Sequence, residues 1–151
     1  MESLHPMVVH FPIALLLTAL LIETPALILR KISWHTVSLW TCGLGTLGAA
    51  AAVLTGRQAM GAAKHSFEIG EIMELHEHLG YVILALASLV TIWRLVKKDS
   101  LSIRARWLAW SVLAVACGTL TFSANLGGRM VYEFGVGGSF GRSVGGIEIV
   151  Q

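Results

Sequence analysis

Two histidines, His5 and His10, bracket the stretch "HPMVVHFP" immediately before a long apolar run. Two more, His76 and His78, fall in "MELHEHLGY", again at the head of an apolar run. Histidine is costly in hydrocarbon, and an ionisable side chain at the mouth of a membrane span is a functional-site hypothesis by default. Neutral imidazole is a common metal ligand, and two imidazoles on facing helices can clamp a haem iron from above and below. Four-helix bundles commonly build cofactor sites from facing side chains in this way.

Helical geometry discriminates among the four. Residues advance about 100° each, so His76 and His78 stand about 200° apart and cannot both face one site. His76 has Gly80 one turn below it and His10 has Ala14, so a small residue lies under each imidazole, where a planar ligand needs room. Close helix packing accounts for the same small residues. His5 stands about 140° around the helix from His10. It therefore suits a second haem, or a replacement for His10, rather than a share in one iron, unless Pro6 breaks the helix. His10 and His76 are the expected haem ligands, with His5 and then His78 behind them, and Ala14 and Gly80 as cofactor-lining residues.

Other polar groups have competing readings. Glu71, Glu74 and His78 fall at i, i+3 and i+7 of an amphipathic helix over about residues 66–78. They form either a solvated carboxylate face or, with Glu74 joining His5, His10, His76 or His78, a copper or zinc site. Glu23, in "LLIETPALILR", lies inside the first apolar run near Arg30. Pairing with a basic neighbour or the interface is the simple reading, and proton uptake the sharper one. His35 follows Trp34 and reads as interfacial, and His65 reads as a loop residue. Cys42 and Cys117 lie at different depths, which argues against a disulfide. Without a C-x-x-C-H motif, covalent c-type haem attachment within the chain is excluded.

The elements that must position these groups are membrane spans. Apolar residues make up 55% and charged residues 13%, with a mean hydropathy of +0.72, against about 25% charged in soluble domains. A crossing needs about 20 apolar residues. Four runs meet that, over about residues 8–29, 36–55, 79–96 and 107–126. The expected fold is all-α: one integral membrane four-helix bundle, residues 1–151, with a Gly-rich C-terminal tail over residues 127–151. The first run is too long, and lacks the preceding positive charge, for a cleaved signal peptide. Gly48, Ala52 and Gly56 form a small-residue stripe in the second span, suited to close packing or to lining a slot. The tail reads as irregular backbone over the bundle end, either a lid or an exposed extension.

Lys and Arg placement orients the bundle. Arg30 and Lys31, then Arg94, Lys97, Lys98, Arg104 and Arg106, gather at one end, which should be cytoplasmic. Both termini are then periplasmic in a bacterial inner membrane, and five of the six histidines, all but His35, share the periplasmic end. The net charge of +2 is thus a topology signal. No basic patch interleaved with exposed aromatics suggests nucleic acid.

Three segments, "LHPMVVHFPIALL", "HEHLG" and "LGGRMVYEFGVG", together resemble a bacterial membrane family catalogued as domain of unknown function 2231, over essentially the whole chain. The resemblance implies a four-helix membrane domain. Association of some members with c-type cytochrome modules implies respiratory electron transfer. In the family pattern His5, His10 and His76 are the matching histidines, while His78 is an addition here. The leading expectation is therefore a membrane b-type haem protein. It would exchange electrons with quinol or a periplasmic c-type cytochrome, within the lipid bilayer, as a homo-oligomer or beside other membrane subunits. A copper or zinc protein and a non-catalytic structural subunit are the alternatives.

Overall fold

The computed structural model describes residues 4–62, 67–97 and 100–134. His65 and the glycine-rich segment beyond residue 134 lie outside them. The described chain is helical throughout: α1 (His5–Val8), α2 (His10–Leu29), α3 (Ile32–Ala62), α4 (Phe67–Lys97) and α5 (Ile103–Tyr132). Four stretches are long and apolar enough to cross a membrane: His5–Leu29, Ile32–Met60, Ile69–Lys97 and Ile103–Tyr132. At 25 to 30 residues each, and 1.5 Å per residue, they outrun a hydrocarbon core of about 30 Å. Their ends therefore reach the polar interface.

The helices are longer than the apolar runs alone imply. The amphipathic segment and the third span are one continuous helix, α4. Helix α5 runs on through Gly127 and Gly128 to Tyr132, where the sequence reading begins an irregular tail. Polar residues at a span's end do not stop a helix whose backbone bonds are internal and whose flank packs on neighbours.

Proline explains the one interruption. Pro12 has no N–H to offer the Val8 carbonyl, so α1 ends at Val8 and α2 begins at His10. Val9 keeps helical angles (φ −62°, ψ −24°), so the axis carries through the break. Pro6 lies in the first turn of α1, where a missing N–H costs nothing. The α2–α3 turn is tight: Arg30 takes the left-handed conformation at φ 53° and its N–H bonds to the Ala26 carbonyl.

Helix α2 packs on α3, α3 on α4, α4 on α5, and α5 back on α2, closing a four-helix ring. Leu16, Ala19, Cys42, Ile83, Ala87, Val90, Ala109, Leu113, Cys117 and Leu120 fill it. Small residues set the close approach of α2 and α3. A Cβ at Gly45 would meet Leu16 Cγ at 2.9 Å, and one at Gly48 would meet Pro12 Cδ at 3.2 Å. Leu21, Val37, Trp40, Leu47, Leu89, Ile92 and Val115 point outward. A bundle apolar outside as well as inside is solvated by lipid.

The two cysteines are free and buried. Cys42 Sγ lies 3.3 Å from Thr91 Oγ1, and Cys117 donates to the Leu16 carbonyl at 3.4 Å. Polar atoms inside the ring are thus satisfied within the protein, as hydrocarbon requires.

Candidate functional site

One end of the bundle brings two imidazoles together from different helices. His5 opens α1 and His76 lies in the first third of α4, yet their ring centres are 6.2 Å apart with planes at 84°. Both side chains are half-buried.

Each ring is held through Nδ1. His76 Nδ1 lies 3.0 Å from both the carbonyl oxygen and the hydroxyl of Ser123 on α5. A carbonyl only accepts, so His76 Nδ1 carries the proton. His5 Nδ1 lies 3.2 Å from Thr55 Oγ1 on α3. That hydroxyl donates to the Ala51 carbonyl at 2.9 Å, so it accepts from His5 Nδ1–H. In both neutral imidazoles Nε2 is then the nitrogen with a free lone pair.

Glycines make room for both rings. A Cβ at Gly56 on α3 would stand 3.0 Å from His5 Cε1, and one at Gly127 on α5 would stand 3.4 Å from His76 Cε1. The stripe in α3 therefore serves two ends: Gly48 admits Pro12, and Gly56 admits an imidazole. Thr55, Ser123 and Gly127 were not among the expected site residues, and Gly56 was expected only as part of a stripe suited to packing or to lining a slot. Their signal in the sequence is weak, since small residues in a span read first as packing.

The remaining histidines of this end stand elsewhere. His10 and Ala14 are on the exposed face of α2. The place beside His76 expected for His10 is taken by His5, which sits across the Pro12 interruption. His78 is exposed and bonds to the Glu74 carbonyl at 2.7 Å, one turn back in its own helix. Gly80 faces Val53 Cγ2, 3.6 Å from where its Cβ would be, so it seats α4 against α3. Glu71 and Glu74 are exposed. Among the described residues, no group of three or more His, Cys, Asp or Glu side chains gathers as a metal-binding cluster.

The opposite end holds a buried ionic network. Glu23 Oε2 accepts from Arg94 at 2.6 Å, and Glu23 Oε1 accepts from His35 Nδ1–H at 2.7 Å. Arg94 also donates to the His35 carbonyl at 2.9 Å and to Ser38 Oγ at 3.3 Å. Ser38 donates to the Ala19 carbonyl at 3.0 Å. Glu23, His35 and Arg94 are 2%, 6% and 5% exposed, so none is an interface group. Arg30, the basic neighbour closest to Glu23 in sequence, is instead an exposed turn residue. The signal for this network was Arg94 itself, a cation with "VTIW" before it and "LV" after it.

The family described as "Predicted membrane protein (DUF2231)" matches residues 1–139, and the chain belongs to it. No curated protein and no solved structure matches the chain.

Proposed function

We propose that this member of the DUF2231 membrane family is a b-type haem electron-transfer protein, with His5 and His76 as the residues that would hold its iron. The observation that carries this reading is the close approach of two imidazoles from different helices. A metal–imidazole bond of about 2.0–2.1 Å, plus about 1.1 Å from nitrogen to ring centre, puts two opposed ligands about 6.2–6.4 Å apart between centres. The His5–His76 spacing is 6.2 Å.

The chain's own groups suit such ligation. Ligating histidines usually donate their other N–H to a carbonyl or similar acceptor, which holds the tautomer and the ring orientation. Ser123 and Thr55 supply those acceptors. Gly56 and Gly127 leave each ring its position. When bound, haem supplies a one-electron ferric/ferrous couple.

The site's place near a membrane surface suits exchange with quinol or with a c-type cytochrome. The Lys/Arg bias supports a periplasmic location in a bacterial inner membrane. At the histidine end, Arg57 and Arg129 are paired with Glu77 and Glu133. At the far end Arg30, Lys31, Lys97 and Arg104 are exposed.

Two imidazoles, with no third donor gathered beside them among the described residues, also suit a two-coordinate cuprous ion, and suit four-ligand zinc less well. The test is an absorption spectrum of protein purified from cells supplied with haem, oxidised and then reduced. Sharp visible bands of a six-coordinate low-spin b-type haem in the reduced form are expected. A folded but colourless protein would overturn the haem reading. One copper per chain in that preparation would put the cuprous reading in its place.

A further inference from the structure

The end of the bundle opposite the histidine pair carries a cleft of about 260 Å³ lined by Arg30, Ile32, His35, Ile103 and Arg106. The carboxylate beneath it is already neutralised, since Glu23 is bound by Arg94 at 2.6 Å. Among the described residues, neither Arg30 nor Arg106 is ion-paired. Arg106 Nε donates to the Leu101 carbonyl at 3.3 Å. Among the described residues, the cleft therefore holds two guanidiniums without counter-charge.

Two further features point the same way. His35 is 94% buried, being 6% exposed, and its Nδ1 is used by Glu23. No Nε2 bond is found among the described residues. His35 is also one of the residues lining the cleft. Ile32 and Ile103 are the first residues of α3 and α5. Two helix N-termini, with their positive dipole ends, thus meet at the same opening, although Ser102 Oγ already caps the Ala105 N–H of α5 at 3.3 Å.

We propose that this cleft binds a phosphate group, held by Arg30 and Arg106 with His35 at its floor. Planar guanidiniums match phosphate oxygens bidentately. The group can arrive on an anionic phospholipid, whose chains would meet the outward-facing Ile28, Leu29 and Ile32, or as free phosphate. Basic pockets between spans are known to take lipid headgroups. The proposal is independent of any cofactor at the other end.

The test uses native mass spectrometry of the full chain in mixed detergent micelles with phosphatidylglycerol or phosphatidylcholine, and calorimetric titration of inorganic phosphate without lipid. Wild-type protein should retain phosphatidylglycerol over phosphatidylcholine, or bind phosphate in the millimolar range or tighter. Preferential lipid retention without phosphate binding assigns the lipid source, and phosphate binding that displaces lipid assigns the free anion. The double variant Arg30→Gln/Arg106→Gln should lose that binding at least tenfold. The single Arg106→Gln, which leaves the left-handed turn at Arg30 untouched, should fall between. The control Lys97→Gln/Arg104→Gln removes the same charge from exposed positions at the same end and should bind as wild type. Equal loss in both double variants, no loss in either, or no binding by the wild type overturns the proposal.

Discussion

Arg94 on α4 reaches Glu23 on α2 at 2.6 Å, a buried ion pair between residues 71 positions apart. His35 on α3 closes it from the other side of the carboxylate at 2.7 Å. Three helices are thus joined by one carboxylate inside a membrane span. Desolvating these charges is expensive, and each group is tolerated only because the others are present.

That dependence gives the first prediction. Glu23→Ala leaves Arg94 buried and uncompensated, and Arg94→Met does the same to Glu23. Each should cost about 3–5 kcal/mol of stability. The double Glu23→Leu/Arg94→Met removes both charges and should cost far less than the sum. Thermal or denaturant unfolding in detergent measures this, and additivity within about 0.5 kcal/mol would show that the two groups act separately.

The histidine end gives the second. His5→Ala and His76→Ala should each abolish the six-coordinate haem spectrum or convert it to a five-coordinate one. His10→Ala and His78→Ala should leave it unchanged, because both side chains are exposed and stand away from the pair. Loss of the spectrum in His10→Ala with retention in His5→Ala would reassign the ligand on the first span.

Thr55 supplies the third. Thr55→Val keeps the shape of the side chain but removes the acceptor for His5 Nδ1–H. Loss of such a partner typically costs about 10–100-fold in cofactor or metal affinity. Thr55→Ser should restore most of it. Cofactor titration of the purified apoprotein reads the difference, and equal affinity in Thr55→Val would show that the bond does not orient the ring.

Glycine contacts supply the fourth. Gly56→Ala puts a methyl 3.0 Å from His5 Cε1, so the ring must move; Gly127→Ala, at 3.4 Å from His76 Cε1, asks less. Gly118→Ala meets nothing within 4 Å. Cofactor retention should therefore fall in the order Gly118→Ala, Gly127→Ala, Gly56→Ala. A retention in Gly56→Ala equal to that of Gly118→Ala would remove Gly56 from the site.

Composition and run length determined the membrane class and the four helices, because a span must be apolar along most of its length and must satisfy its backbone internally. Pro12 lacks an N–H whatever surrounds it, but that the helix breaks at Val9, ahead of His10, is a finding of the structure. Helical spacing ranked His10 ahead of His5 as the neighbour of His76, and the structure places His5 there instead. His5 and His10 both precede the same apolar run, and the choice between them depends on how α1 is turned against α3 and α4. Glu23, His35 and Arg94 were each visible as ionisable residues, but local spacing paired Glu23 with Arg30 and left Arg94 among the topology charges. Only the packing of α2, α3 and α4 decided that these three meet. A carboxylate desolvated inside the ring takes the cations that the helices bring to it, and sequence distance does not enter that energy.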